Sequence, residues 1–456
     1  MILDGPTSPL SQRRITQTWW PLAAGWFLMT VENPILNAII ARNPEPQIHL
    51  AAWGLDFAVA LMLASPIMML LSASTALSRD WPSYGKLNRY SWALSLGLTV
   101  LHALLAFTPL FDLVVVGILA PPPEIVEPAR LGLGIMLPYV IGLAYRRFNY
   151  GVLIRFNRTR AVTVGAFFRL VVDAITFGVL HLAGVHNGIV LATSIISLGV
   201  LAEAVYSGVR VHAVLPELRA APHTGEPVTL AGFTRFYMPL VMTSLLMILV
   251  QPIGAAGLSR MPHPLQSLAV WPVINSLVIL WSSAGMAFTE VVVVLLEQPR
   301  AVTALHNFTL RMGSLMVGLL LVMNATPLAK LWFEYVAALP PELSSTANWA
   351  LWVALLMPGL AFLQSWYTGA LVNGRHTRAI TEAVLIALLV NGGVLVAGVL
   401  WGNAPGVYVG VVGLVGGNIA RTVWLFFRTR AAMRHLRAEE RGPVSSPRKL
   451  ERTPVG

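Results

Sequence analysis

Residues 31–53 read VENPILNAIIARNPEPQIHLAAW, and residues 249–271 read LVQPIGAAGLSRMPHPLQSLAVW. When the two stretches are laid on each other with a shift of 218 positions (249 − 31), they agree without a gap at prolines, an arginine and a tryptophan: Pro34 with Pro252, Arg42 with Arg260, Pro46 with Pro264, and Trp53 with Trp271. The same shift superposes Pro21 on Pro239, Arg160 on Arg378 and Gly188 on Gly406. Self-similarity at one fixed spacing indicates two copies of one structural unit.

The chain around these motifs is apolar. Of its 456 residues 56% are hydrophobic and only 11% are charged, whereas soluble domains carry about 25% charged residues. Apolar runs of about 20 residues, enough to cross roughly 30 Å of hydrocarbon, recur along the sequence. They predict transmembrane helices at residues 15–40, 50–77, 88–111, 130–150, 161–182, 188–211, 230–258, 267–296, 302–326, 346–372, 377–400 and 406–427. We therefore predict an all-α membrane protein whose twelve transmembrane helices form two six-helix lobes, related by a parallel internal repeat.

Basic residues set the expected orientation. The formal net charge is +11, but the arginines lie in short loops and in the tail, which argues against a nucleic-acid partner. Loops on one side carry most of them, including Arg146, Arg147 and Arg155. By the positive-inside rule both termini are cytoplasmic and the chain is a multi-pass protein of the cell (inner or plasma) membrane. Arg13 and Arg14 are interpreted as the cytoplasmic flank of the first helix, because no cleavage site follows them.

The predicted organisation has five parts. They are a cytoplasmic N-terminal segment at 1–14, an N-terminal lobe at 15–213, a cytoplasmic linker at 214–229, a C-terminal lobe at 230–427 and a disordered basic cytoplasmic tail at 428–456. The sequence contains no cysteine, which excludes disulfides and thiolate metal sites. We expect a monomer.

Charged side chains inside the predicted helices are the candidates for function, because each costs on the order of 2.5–3.5 kcal/mol to insert at the bilayer centre. Glu32 stands out because a proline two residues later frees backbone carbonyls that can bind a cation. Asp173 follows Arg169 by four residues, so the two are expected to pair on one helix face. A carboxylate satisfied within a static core is the alternative for each acid. The coupling-ion candidates are Glu32, Asn33, Asn37, Asp56 and Asp173.

A second set of residues could contact a substrate in a central cavity: Arg169, Gln251, Asn275, Glu290 and Arg311. If Arg311 and Arg169 both face the cavity, an anionic substrate is favoured. Glu203 and Glu290 are expected near helix ends, where a charged group can reach water. Pro34 and Pro252, which are equivalent in the repeat, predict bent first helices that serve as hinges.

The start of each half resembles a known family. Trp20-Pro21-Leu22, then Asn33-Pro34-Ile35-Leu36-Asn37, then Ala41-Arg42 resemble the first helix of multidrug and toxin extrusion (MATE) transporters, in the multidrug/oligosaccharidyl-lipid/polysaccharide (MOP) exporter superfamily. Met238-Pro239-Leu240, Gln251-Pro252-Ile253, Ser259-Arg260 and Thr368-Gly369 are similar to the progressive ankylosis branch of that superfamily, from which Gln251 departs where a basic residue is usual. The resemblance implies a proton or sodium site made by one acid on helix 1 and one on helix 5. Glu32 and Asp173 occupy similar places.

These observations predict a secondary active transporter that works by alternating access. It would be coupled to H+ or Na+, need no cofactor or metal, and export an organic solute, which would be anionic if Arg169 and Arg311 face the cavity. The alternatives are a flippase for a lipid-linked glycan or other amphiphilic anion, an integral membrane transferase, and a scaffold. An enzyme is the weaker alternative because the predicted outer loops, 112–129 and 327–345, offer few acids and no histidine. The expected partners are a small-molecule or lipid-linked substrate and the lipid bilayer.

Overall fold

A computed structural model describes residues 10–222, 228–296, 298, 301–373 and 378–441. Within these ranges the chain is helical and contains no β-strand. The N-terminal half consists of α1 (Gln12–Thr30), α2 (Glu32–Ala41), α3 (Pro46–Met68), α4 (Leu70–Leu77), α5 (Trp81–Phe107), a π-helix (Asp112–Leu119), a 3-10 turn (Pro123–Ile125), α6 (Val126–Ile135), α7 (Leu137–Arg155), α8 (Arg160–Leu182) and α9 (Gly188–His212).

The C-terminal half follows a short connecting helix, α10 (Leu215–Ala220). It consists of α11 (Leu230–Ile248), α12 (Val250–Ser259), α13 (Pro264–Met286), α14 (Phe288–Leu295), α15 (Ala301–Ala325), α16 (Leu328–Leu331), a second π-helix (Trp332–Val336), α17 (Pro341–Val353), a 3-10 turn (Ala354–Leu356), α18 (Met357–Asn373), α19 (Arg378–Trp401) and α20 (Gly406–Arg441). In the described part of the chain ten of these helices, some of them joined end to end, are long and apolar enough to cross a membrane. An eleventh is made by Pro123–Ile135 with Leu137–Arg155, which meet at 43°.

The remaining span is the pair α1 and α2. This pair carries the polar residues Glu32, Asn33 and Asn37 near its middle, which lower its mean hydropathy. Its bounds are those of α11 and α12 displaced by the 218 positions of the repeat, and α11 with α12 is a membrane-spanning helix by length and composition. The predicted fold of twelve helices in two lobes is confirmed.

The repeat holds in backbone detail. The first span of each lobe breaks at one residue, Val31 or Leu249. The turn after it contains a left-handed residue in both lobes, Glu45 with φ 53° and His263 with φ 55°. Both lobes also have a π-helix followed by a left-handed alanine: Ala120 with φ 50° and Ala338 with φ 54°. The two halves therefore share one chain path, although few side chains are identical.

Several predicted boundaries were wrong. The fourth span ends at Arg155, not at residue 150, and begins at Pro123 because prolines are well tolerated in the first turn of a helix. The predicted outer loops 112–129 and 327–345 are largely helical and include both π-helices. The tail predicted to be disordered from residue 428 is helical as far as Arg441, because extending an existing helix needs no new nucleus. Residues 442–456 lie outside the described residues.

The lobes meet along α3 and α13. Gly54 of α3 packs against the ring of Pro272 of α13, where a Cβ on residue 54 would lie 3.2 Å from the proline Cγ. These two positions are equivalent in the repeat, so this contact marks the pseudo-two-fold axis between the lobes.

Candidate functional site

Glu32 is the first residue of α2 and lies directly after the break at Val31. The break lies three residues before Pro34, whose ring has no N–H to continue the helical hydrogen bonds. The Glu32 side chain is buried, with 5% of its residue surface exposed. It forms an ion pair with Arg169 of α8. The broken first span therefore delivers a carboxylate into the interior of the N-terminal lobe.

Arg169 extends this ion pair to a second acid, Glu203 of α9. Arg169 Nη1 lies 3.6 Å from Glu203 Oε2, and Arg146 of α7 pairs with the same carboxylate. The Tyr150 hydroxyl donates a hydrogen bond of 2.8 Å to Glu203 Oε1. Four spans are thus joined by one set of charged groups. We call Glu32, Arg146, Tyr150, Arg169, Asp173 and Glu203 the buried charge cluster.

Asp173 is the member without a hydrogen bond. Both of its carboxylate oxygens are buried and have no hydrogen-bond partner in the described structure. One oxygen occupies the place that a Cβ would take on Gly199 of α9. The predicted ion pair between Asp173 and Arg169 does not form, because the guanidinium reaches Glu32 and Glu203 instead. Asp173 is therefore an acid one helical turn from an arginine that is engaged elsewhere.

The cluster holds three acids and two arginines in the lobe interior. An unpaired charge there is costly, and removing one member of a buried pair leaves its partner uncompensated. The ion pairs give Arg146, Arg169, Glu32 and Glu203 each an opposite charge, which leaves Asp173 as the acid of the cluster with no ion pair among the described residues. Such an arrangement can rearrange when one carboxylate gains a proton, because Arg169 then has a different best partner.

The other coupling-ion candidates lie apart from the ion pairs. Asp56 of α3 is fully buried, and both of its oxygens lack a hydrogen-bond partner. One of them lies against the backbone of Gly132. Asn37 of α2 instead reaches the C-terminal lobe, where its amide donates to the Pro272 carbonyl at 3.1 Å. Asn33 is half-buried.

The substrate-cavity candidates in the C-terminal lobe do not join the ion pairs of the cluster. Gln251 and Asn275 are half-buried, whereas Glu290 and Arg311 are exposed. Arg311 forms no ion pair with the buried charge cluster among the described residues, and a shared anion site for Arg311 and Arg169 stays a prediction. Pro252 is buried, and Pro34 is half-buried.

Three members of the cluster were not predicted as site residues from the sequence. Arg146 was expected in a cytoplasmic loop, Glu203 was expected near a helix end, and Tyr150 was not a candidate. Glu203 is 1% exposed and Arg146 is 7% exposed. The available signal was their spacing: Arg146 and Tyr150 lie four residues apart, which places both on one face of α7.

The fold that holds the buried charge cluster is shared with known proteins. No protein-family model and no curated protein matches the sequence. Among solved structures, the inward-facing conformation of a multidrug resistance MATE family transporter of the MOP superfamily superposes with a TM-score of 0.68 at 16% identity, over 90% of this chain and 96% of that one. The chain has the MATE transporter fold. The eukaryotic MATE transporter AtDTX14 superposes with a TM-score of 0.66 at 12% identity, over 94% of this chain and 99% of that one.

Lipid II flippase MurJ in an inward closed conformation matches equally well. Its TM-score is 0.66 at 14% identity, over 92% of this chain and 90% of that one. A multidrug resistance transporter and a lipid II flippase therefore share this fold, so the fold alone assigns neither function.

Proposed function

We propose that the chain is a secondary transporter of the MOP type that works by alternating access and is coupled to protons through the buried charge cluster. The observation that carries this proposal is the ion pair of Glu32 with Arg169, which links the break in the first span to α8 and, through Glu203, to α9 and α7. A change of charge at Glu32 is thereby linked to the position of α2. Isolated acids inside the membrane are costly and are retained mainly where they act.

The exchange of Arg169 between acids supplies the coupling step. When Glu32 binds a proton its attraction for Arg169 falls, and the guanidinium moves to Asp173, four residues away on the same helix face. Glu32 is then free to leave the cluster with α2, about the hinge at Val31. Loss of the proton on the other side of the membrane restores the first ion pair. Binding of an ion that favours one of two conformations shifts the population toward that conformation.

A proton is the better proposal for the coupling ion than sodium. The Arg169 guanidinium contacts both Glu32 and Glu203, so a metal cation beside these acids would face a fixed positive charge. A proton on a carboxyl removes charge without needing that space.

The cargo we propose is an organic solute. A strongly basic cavity would favour the flippase alternative, whereas Arg146 and Arg169 are each paired with an acid. The exposed Arg311 is the remaining argument for an anion. The similarity of Met238-Pro239-Leu240 to the progressive ankylosis branch stays a prediction.

The test is gradient-driven uptake into proteoliposomes with imposed proton or sodium gradients. The cargo panel contains organic anions, cationic dyes and a lipid-linked sugar. We expect Glu32→Gln to bind cargo but to lose the response to a proton gradient. Glu217→Gln, which changes an exposed acid of the connecting helix α10, is the matched control and should keep that response. Wild-type coupling in Glu32→Gln would contradict the assignment, and uptake of the lipid-linked sugar alone would favour the flippase.

A further inference from the structure

Two equivalent arginines each bridge the lobes at one end of the molecule. Arg42 follows α2, and its Nη2 donates to the carbonyl of Tyr335 in the second π-helix at 2.7 Å. Arg260 follows α12 and donates through Nη2 to the carbonyl of Ile118 at 2.5 Å and through Nη1 to that of Leu119 at 3.3 Å. These acceptors belong to the first π-helix, in the opposite lobe.

The acceptor carbonyls are free because prolines follow them. Carbonyls in the last turn of a helix lack an intrahelical partner. The chain after Leu119 turns at the left-handed Ala120 and continues with Pro121, Pro122 and Pro123, none of which has an N–H. The second π-helix ends in the same way, at Ala338 and then Pro340 and Pro341. Each arginine therefore supplies a donor that the local backbone does not.

Each arginine is also held on its own helix. Arg42 Nη1 donates to the Ala38 carbonyl at 2.8 Å, and Arg260 Nη1 donates to the Ala256 carbonyl at 2.7 Å. One guanidinium thus connects the end of a broken first span to the opposite lobe. Any movement of α2 or α12 acts directly on these bonds.

A second symmetric pair of contacts joins the lobes toward the other end. Trp19 Nε1 of α1 donates to the Ala284 carbonyl of α13 at 2.8 Å, and the Tyr237 hydroxyl of α11 donates to the Pro66 carbonyl of α3. Residues 19 and 237 are equivalent in the repeat, as are residues 66 and 284. These donors are neutral, whereas the arginines carry a charge, and charge-assisted hydrogen bonds are roughly twice as strong as neutral ones.

We propose that Arg42 and Arg260 are positioning residues that form an outer latch: they hold the lobes together on the outer face, and both must release before the cavity opens outward. The proposal rests on the proposed alternating-access function, and it takes the outer face from the arginine asymmetry of the loops. Two ends of one lobe interface cannot both stay closed during transport. Because the outer donors are charged, the latch biases the resting protein toward closure on that face.

The experiment uses the absence of cysteine. A single Ser276→Cys places a thiol midway along the interface, where Ser276 Oγ accepts a hydrogen bond from Asn37 at 2.9 Å and is buried. In proteoliposomes of known orientation, a membrane-impermeant maleimide is applied from the outer side. Arg42→Gln combined with Arg260→Gln should raise the labelling rate by at least roughly tenfold, because the two substitutions remove all three charge-assisted hydrogen bonds of this contact.

Arg130→Gln is the matched control. Arg130 pairs with Asp112 at 2.5 Å and lies over the ring of Phe111. These contacts are at the start of the first π-helix, and both partners belong to the same lobe as Arg130. This variant should leave the labelling rate unchanged, whereas a general loosening of the fold would raise it. The Arg42→Lys, Arg260→Lys variant retains both charges, so its labelling rate should stay near that of the protein with both arginines. This comparison tests the latch even if the glutamine variant folds poorly.

A distance measurement separates failure of the latch from failure of the transport proposal. Spin labels at His186→Cys and Ala404→Cys, which are equivalent positions in the two lobes, report outward opening. We expect the distance to lengthen in wild type under a proton gradient and in the glutamine variant without one. A wild-type response with no change in the glutamine variant overturns the latch. No response in wild type counts against alternating access itself.

Discussion

The carboxylate of Asp173 is accommodated by Gly199, since an oxygen lies where a Cβ would be. Gly199→Ala should therefore displace Asp173 and lower the free energy of unfolding by about 1–3 kcal/mol, as overpacking of a core does. Gly178 of α8 has open space where a methyl group would lie, with no atom within 4 Å. Gly178→Ala should stabilise the helix by up to about 1 kcal/mol. Thermal unfolding in detergent measures the stability of both variants. Equal unfolding midpoints for Gly199→Ala and Gly178→Ala would contradict the close approach of Asp173 to Gly199.

Glu203 is expected to be the most stability-critical member of the cluster, because it accepts from Arg146 and Tyr150 together. Glu203→Gln leaves a buried arginine without its counter-charge and should cost roughly 3–5 kcal/mol. Glu217 offers a control: its ion pair with Arg158 has a similar contact, 2.8 Å, but the two side chains are 48% and 56% exposed. Glu217→Gln should cost at most about 1 kcal/mol. A comparable loss of thermal stability in both variants would contradict the structural importance of burial here.

The residues of the cluster were partly predictable. Glu32, Arg169 and Asp173 are rare charges within apolar runs, which the sequence shows directly. Arg146 was missed because the fourth span was predicted to end at residue 150, whereas it continues to Arg155 and carries Arg146 about two and a half turns inside. The partners were not predictable, because an arginine reaches acids on neighbouring helices that no single-chain spacing specifies.

At the scale of elements, the broken first spans follow from Pro34 and Pro252, which lie three residues after the breaks at Val31 and Leu249. Pro34→Ala restores an N–H that can donate to the Thr30 carbonyl and straighten the span. We expect turnover in proteoliposomes to fall several-fold for Pro34→Ala and Pro252→Ala, with folding retained.

The control for this change is Pro82 in the first turn of α5, where no helical hydrogen bond is lost. Pro82→Ala should leave turnover unchanged. If all three alanine variants transport at the wild-type rate, the two prolines are structural kinks and the hinge lies elsewhere.

At the scale of the whole molecule, the repeat predicted the lobes and their parallel relation, because matching prolines and glycines fix equivalent breaks and turns. Contacts between the lobes were not predictable in the same way. Trp19 and Tyr237 are different residues at equivalent positions, yet each donates to an equivalent carbonyl, that of Ala284 or Pro66. Sequence identity therefore understates the symmetry of the interface, since many of its acceptors are backbone groups that any residue supplies.

The orientation of the whole molecule is the last prediction, and it follows from the arginine asymmetry of the loops. Cysteines at Ser8 and Ser446, which lie outside the described residues, should be labelled from the cytoplasmic side only. Ser344 was the external site suggested by the sequence, but it is 3% exposed within α17 and would react poorly. Asn403, exposed between α19 and α20, replaces it. An impermeant maleimide applied to intact cells should therefore modify Asn403→Cys and spare the other two, since an even number of spans returns the chain to its starting side. Modification of Ser8→Cys from outside would require the opposite orientation, and would place the Arg42 and Arg260 contacts on the cytoplasmic face.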